Sequence, residues 1–105
     1  MDENINDWIS KKITSNDVVL FMKGTPETPQ CGFSSQVVQI LNYLGIEFSS
    51  VNVLEDESIR NGIKEYTNWP TIPQLYVKNE FIGGADIVRE MFEENELKEF
   101  LKDKG

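Results

Sequence analysis

Ile5, Trp8, Ile9 and Ile13 recur at helical spacing, which predicts an amphipathic helix over roughly residues 3–14 that Ser15-Asn16-Asp17 stops. Val18-Val19-Leu20-Phe21-Met22 follows without a polar interruption and predicts a central strand covered on both faces. Gly24 to Gln30, with two prolines, reads as a loop. Val37, Val38, Ile40, Leu41 and Leu44 mark a second helix that starts near Ser34, with Gly45 placed to cap its end. Phe48, Val51 and Val53 predict a second strand, and one helix between two strands implies a right-handed parallel βαβ unit.

The second half changes character. Glu55-Asp56-Glu57-Ser58 supplies acidic residues for a helix start, and Ile59, Ile63 and Tyr66 carry its apolar side to about Thr67. Asn68-Trp69-Pro70-Thr71-Ile72-Pro73 has prolines spaced to forbid a helix. Gln74 to Val77, the turn Lys78-Asn79-Glu80, and Phe81-Ile82 read as a hairpin. Gly83-Gly84-Ala85-Asp86 turns into a helix along Ile87, Val88, Met91 and Phe92. Asn95 breaks or bends it, and Leu97, Phe100 and Leu101 form a last helical face. The order α-β-α-β-α-β-β-α predicts an α/β fold, with a four-stranded mixed sheet flanked by helices on both faces.

The length, 105 residues, suits one domain spanning residues 1–105. A net charge of −8 makes nucleic acid and anionic membranes poor partners, since both need clustered Lys and Arg. The longest apolar run, Val18 to Met22, falls far short of the roughly 20 residues of a membrane span. Met1-Asp2-Glu3-Asn4 has neither the basic nor the apolar region of a signal peptide, so a cytoplasmic location is expected. One cysteine rules out an internal disulfide, and the absence of histidine removes Ser-His and Cys-His mechanisms from the chain.

That cysteine, Cys31, falls where the loop after the first strand enters a helix. Unpaired N–H groups and the positive end of the helix dipole favour thiolate over thiol there, and Lys23 could add a positive charge. The alternative is an inert buried thiol, because burial alone raises a thiol pKa.

Lys23-Gly24-Thr25-Pro26 with Cys31-Gly32-Phe33-Ser34 resembles the active-site loop of the CGFS-type monothiol glutaredoxins. Trp69-Pro70-Thr71-Ile72-Pro73-Gln74-Leu75 is similar to their WPT-x-PQL segment, and Gly83-Gly84-Ala85-Asp86-Ile87 to their GG-x-D-I turn. The motifs occur in the family's order and spacing, and the match runs from about Val18 to the end. The resemblance implies a thioredoxin-like (glutaredoxin) fold, glutathione binding, and a [2Fe–2S] cluster carried by a homodimer, with a monomer in the apo state. It is to the short, single-domain members. Ala85 departs from the many relatives with a second cysteine there, so thiol chemistry using that cysteine is absent.

The resemblance gives Cys31 the roles of nucleophile and cluster ligand, and assigns Lys23 and Arg60 to glutathione's glycyl carboxylate. It implies a cis Ile72–Pro73 bond, with the Ile72 backbone pairing with glutathione like a short strand. It gives the γ-glutamyl end to the backbone around Ala85 and to the Asp86 carboxylate. Each residue also has a plainer reading. Lys23 and Arg60 could be solvated charges, Thr71-Ile72-Pro73 a simple turn, Trp69 core or rim packing, and Asp86 a helix cap. Phe33 and Ser34 could serve packing and first-turn hydrogen bonding, and the run Glu90, Glu93, Glu94, Glu96 a solvated face.

A [2Fe–2S] cluster takes four ligands, usually thiolates. Two chains offer two cysteines, and two glutathione thiols complete the set. The expected function is therefore glutathione-dependent binding and transfer of the cluster to iron–sulfur acceptor proteins, with a BolA-like protein as a further partner implied by the resemblance. The alternative is a glutathione-dependent thiol–disulfide oxidoreductase that removes glutathione from protein thiols. A redox-inert interaction module is a third reading.

Overall fold

The computed structural model describes residues 4–104, with side chains to residue 100. Glu3, in the first predicted helix, and the Leu101 side chain, on the last predicted face, lie outside the described residues. The elements are α1 (Ile5–Thr14), β1 (Val18–Met22), α2 (Gly32–Tyr43), β2 (Ser49–Asn52), a 3-10 turn (Val53–Glu55), α3 (Glu57–Thr67), β3 (Gln74–Val77), β4 (Glu80–Gly83), α4 (Ala85–Glu93) and α5 (Glu96–Lys104). The sheet order is β2-β1-β3-β4, with β1 and β2 parallel and the β1–β3 and β3–β4 pairs antiparallel.

All of β1 is buried, and alternation sends its side chains to opposite layers. Val18, Leu20 and Met22 join a core with Val37, Val38 and Leu41 of α2, Val88 of α4 and Leu97 of α5. Val19 and Phe21 join the other, with Ile9 and Ile13 of α1 and Ile63 of α3. The mixed sheet between two helical layers is the one the apolar pattern predicts.

The differences lie at element ends. The second strand was expected through Val53 but ends at Asn52. The Asn52 side chain accepts from Leu54 N at 3.0 Å and folds Val53–Glu55 into a 3-10 turn, while Val53 stays buried. The second helix begins at Gly32 rather than near Ser34, because Cys31 O already accepts from Ser35 N at 2.9 Å. The turn Lys78-Asn79 uses positive φ at both residues (51° and 70°), the geometry that matches strand twist in a two-residue hairpin. Asn95 also has positive φ, 62°, and separates α4 from α5.

Register decides what gathers at one end of the sheet. Phe21, near the end of β1, pairs with Val51 of β2 and with Gln74, which opens β3. Leu75 pairs with Gly83, the last residue of β4. The loop after β1, the end of β2, the chain entering β3 and the start of α4 therefore meet there, although up to about 60 residues separate them in sequence.

Candidate functional site

A cleft of about 480 Å³ opens at that end. Lys23, Cys31 and Phe33 form its first side, Lys64 of α3 with Trp69 to Pro73 the second, and Gly84 to Ile87 the third.

The first side is a tied-down loop. Gln30 N donates to Lys23 O at 2.9 Å, and the Thr25 and Thr28 backbones bond each other at 3.2 and 3.0 Å. Gly24 N donates to Asn52 Oδ1 at 2.9 Å, so the side chain that ends β2 also anchors this loop. Gly24 has φ +92°, and a Cβ there would lie 2.5 Å from Gln30 N, so only glycine fits. Gly32 is different: a Cβ there would meet nothing within 4 Å.

Cys31 stands at the N-cap position of α2, with its side chain partly exposed. Partial burial pushes the thiol pKa up, but the Ser34 and Phe33 N–H groups, the Lys23 charge and the Ser34 hydroxyl together hold it below the ordinary thiol value. Ser34 is fully buried, and its Oγ accepts from Lys23 N at 3.1 Å. It therefore ties the loop to the helix while its proton serves the sulfur. Phe33, which packing could have claimed, is instead 60% exposed on the cleft rim.

On the second side the Ile72–Pro73 bond is cis. Among the described residues nothing hydrogen-bonds the Ile72 backbone, so its N–H and C=O can pair with an extended ligand. Trp69 packs on Phe81 with ring centroids 5.5 Å apart and forms part of the rim. Arg60 is partly buried and does not line the cleft; Lys64, one helical turn further along α3, does. Sequence reasoning missed Lys64, although its place at i+4 from Arg60 and before the Trp69 motif was a usable signal. Neither Lys23 nor Lys64 has a carboxylate partner among the described residues, so a chain of net charge −8 presents two cations to this one cleft.

The third side begins at Gly84, the N-cap of α4, packed so closely that a Cβ would lie 3.3 Å from Pro73 O and 3.5 Å from Trp69 Nε1. Asp86 does not cap this helix; it lies in the first turn, exposed, 3.6 Å from Arg89. An exposed pair of that length is weak and leaves the carboxylate able to take an ammonium group. The buried Ala85 contributes its backbone to the cleft. The arrangement can hold an extended ligand with a carboxylate near the lysines, a main chain along Ile72 and an ammonium near Asp86. Such a ligand would bring its middle to the Cys31 sulfur.

Comparison with known proteins agrees with this geometry. The glutaredoxin family profile matches residues 18–82. A Synechocystis protein named uncharacterized monothiol glutaredoxin ycf64-like is 58% identical over 94 residues, which cover 90% of this chain and 88% of that protein. A probable monothiol glutaredoxin 2 of Rickettsia typhi is 55% identical over 104 residues, which cover 98% and 94%. The solution structure of reduced poplar apo GrxS14 superposes with a TM-score of 0.83 at 52% identity, over 95% of this chain and 92% of that one. With a thioredoxin-like sheet, one cysteine at the start of α2, and these relatives, the chain belongs to the monothiol glutaredoxins of the glutaredoxin family.

Proposed function

We propose that the chain binds glutathione in this cleft and carries a [2Fe–2S] cluster as cargo, as a homodimer, to acceptor proteins. The observation that carries the reading is the placement of Cys31: a partly exposed sulfur, favoured as thiolate by Lys23 and the α2 N–H groups, in a cleft that Lys64 also lines. Lys23 takes the glycyl carboxylate with Lys64 as a second cation, and Arg60 flanks them from one turn away. Ile72 pairs with the tripeptide main chain. The Ala85 backbone and Asp86 receive the γ-glutamyl end.

The donor set fits a shared cargo. No group of three or more His, Cys, Asp or Glu side chains among the described residues could hold a metal. Cys31 is the one thiolate a protomer can supply, and a cluster takes four ligands, usually thiolates. A second copy and two glutathione thiols supply the other three. Diffusible ligands suit release to an acceptor, and a BolA-like protein would act by bringing replacement ligands.

The lowered thiol pKa also supports a second reading, glutathione-dependent thiol exchange. The Cys31 thiolate attacks the glutathione sulfur of a protein–glutathione disulfide, releasing the protein thiolate and leaving Cys31 glutathionylated. Free glutathione then attacks that adduct, giving glutathione disulfide and regenerating Cys31.

Anaerobic reconstitution with iron and sulfide, with and without glutathione, separates the readings. The carrier reading expects a coloured dimer that forms only with glutathione and holds two irons per dimer. A colourless monomer in both conditions overturns it, and turnover on a glutathionylated protein would then support the exchange reading.

A further inference from the structure

Gln74 opens β3 and is a fully buried primary amide. Its Nε2 donates to Trp69 O at 3.1 Å and to Thr71 O at 3.2 Å. Its Oε1 accepts from Thr67 Oγ1 at 2.7 Å. Thr67 Oγ1 also lies 2.6 Å from Ile63 O and 2.6 Å from the Tyr76 hydroxyl. A hydroxyl carries one proton, and Ile63 O and Gln74 Oε1 compete for it as acceptors, so with that proton shared between them the Tyr76 hydroxyl is the group left to donate to Thr67. Burial pushes the Tyr76 phenol pKa up, which keeps that proton in place.

The amide is therefore oriented from behind and spends both its N–H groups on one segment. That segment, Trp69-Pro70-Thr71, belongs to no helix or strand and lines the cleft. Trp69 N donates to Lys64 O at 3.1 Å, tying the segment to α3 at its start. The carbonyls on either side of Pro70 are held by Gln74 alone among the described residues. An apolar side chain would fill the same core space beside Leu75 and Tyr76. What only an amide adds is a fixed distance between the Trp69 and Thr71 carbonyls, on the segment that leads into Ile72.

We infer that Gln74 is a positioning residue for the bound tripeptide: the Thr67–Gln74–Tyr76 network clamps the Trp69–Thr71 wall so that the Ile72 backbone is presented to the ligand. This rests on the glutathione reading above. Gln74 touches neither the sulfur nor the ligand, so its effect falls on affinity and leaves thiol acidity alone.

The test uses the full apo chain and S-methylglutathione, whose blocked sulfur cannot react with Cys31. Binding is read by calorimetry, and the pH profile of Cys31 alkylation is read in parallel. Gln74→Met, of similar volume but without the amide, is expected to weaken binding about tenfold, as loss of groups that orient binding residues does, with an unchanged alkylation profile. Thr67→Val, which frees the Gln74 amide, gives a smaller loss, and Thr67→Ser, which keeps the hydroxyl, restores wild-type affinity. Wild-type affinity in folded Gln74→Met overturns the inference. So does a weakened variant whose alkylation profile also moves, since that is general loosening rather than positioning. If Gln74→Met does not fold, Thr67→Val is judged by the same two readouts. Wild-type protein that binds no S-methylglutathione overturns the glutathione reading, and this inference with it.

Discussion

Asn4 and Asp56 close the N-termini of α1 and α3 with their side chains: Asn4 accepts from Asn6 N at 2.8 Å, and Asp56 from Ser58 N at 2.8 Å. On the other face of the sheet, α2 and α4 start at Cys31 and Gly84, and no side chain makes a cap hydrogen bond to either. Both uncapped starts open into the cleft, and both capped starts lie elsewhere. A side-chain cap contributes roughly 1 kcal/mol to stability. The two helices that build the site forgo it and leave their first N–H groups for the sulfur and for a ligand. Side-chain caps are absent at the two helix starts that line the cleft and present at the two that lie away from it.

The strongest way to break this contrast is Cys31→Ser. Serine is a good N-cap, so the variant should be more stable than wild type by about 0.5–1 kcal/mol at neutral pH. Cluster loading and thiol exchange should fall to background. Denaturant unfolding and the iron and sulfide content of reconstituted protein check the two halves together. A variant that loses function and stability alike would mean that Cys31 serves the fold first.

Gly24→Ala comes next. Its Cβ would press on Gln30 N at φ +92°, so about 2 kcal/mol of stability should be lost, seen as a lower urea midpoint. Lys23→Ala removes a cation from the open side. It should weaken S-methylglutathione binding about tenfold, the range of one charged hydrogen bond, and move the Cys31 alkylation profile to higher pH. Asp56→Ala removes a cap on the closed side. It should cost about 1 kcal/mol and leave glutathione binding and the alkylation profile where they are.

The smallest effect is a pH dependence. The fold lowers the Cys31 pKa, so the unfolded chain keeps its thiol proton to higher pH than the native one. The stability that the thiolate adds is complete above the unfolded thiol pKa of about 8.5 and is lost as pH falls through the lower native value. Wild type should therefore gain on Cys31→Ser as pH rises through that window. Parallel stability curves for the two proteins would show that the α2 N–H groups do not act on the sulfur.

Legibility in the sequence followed the range of the interaction. The strand Val18–Met22 was readable to the residue, because a central strand needs apolar side chains on both faces and β1 is buried throughout. Cys31 at a helix start could be read from the loop–helix junction alone. Boundaries set by a side chain reaching outside its own element could not. Asn52 ends β2 because its Oδ1 is taken by Leu54 N and Gly24 N, and Gly24 is 28 residues away. The cap of α4 is Gly84 rather than Asp86, which a capping preference for acidic and hydroxyl residues would not select.

The sequence by itself determined the alternation that sorts β1 between two layers, the helices and strands and their order, and the identity of the one thiol. These depend on side-chain periodicity and on local backbone preferences, which act over a few residues. Only the tertiary structure decided that Lys64 rather than Arg60 lines the cleft, that Phe33 is exposed, and that a buried amide in β3 holds the wall before Ile72. Those outcomes depend on register. The pairing of Phe21 with both Val51 and Gln74 brings distant segments to one sheet end, and hydrogen bonds between them then settle what no stretch of chain could settle alone.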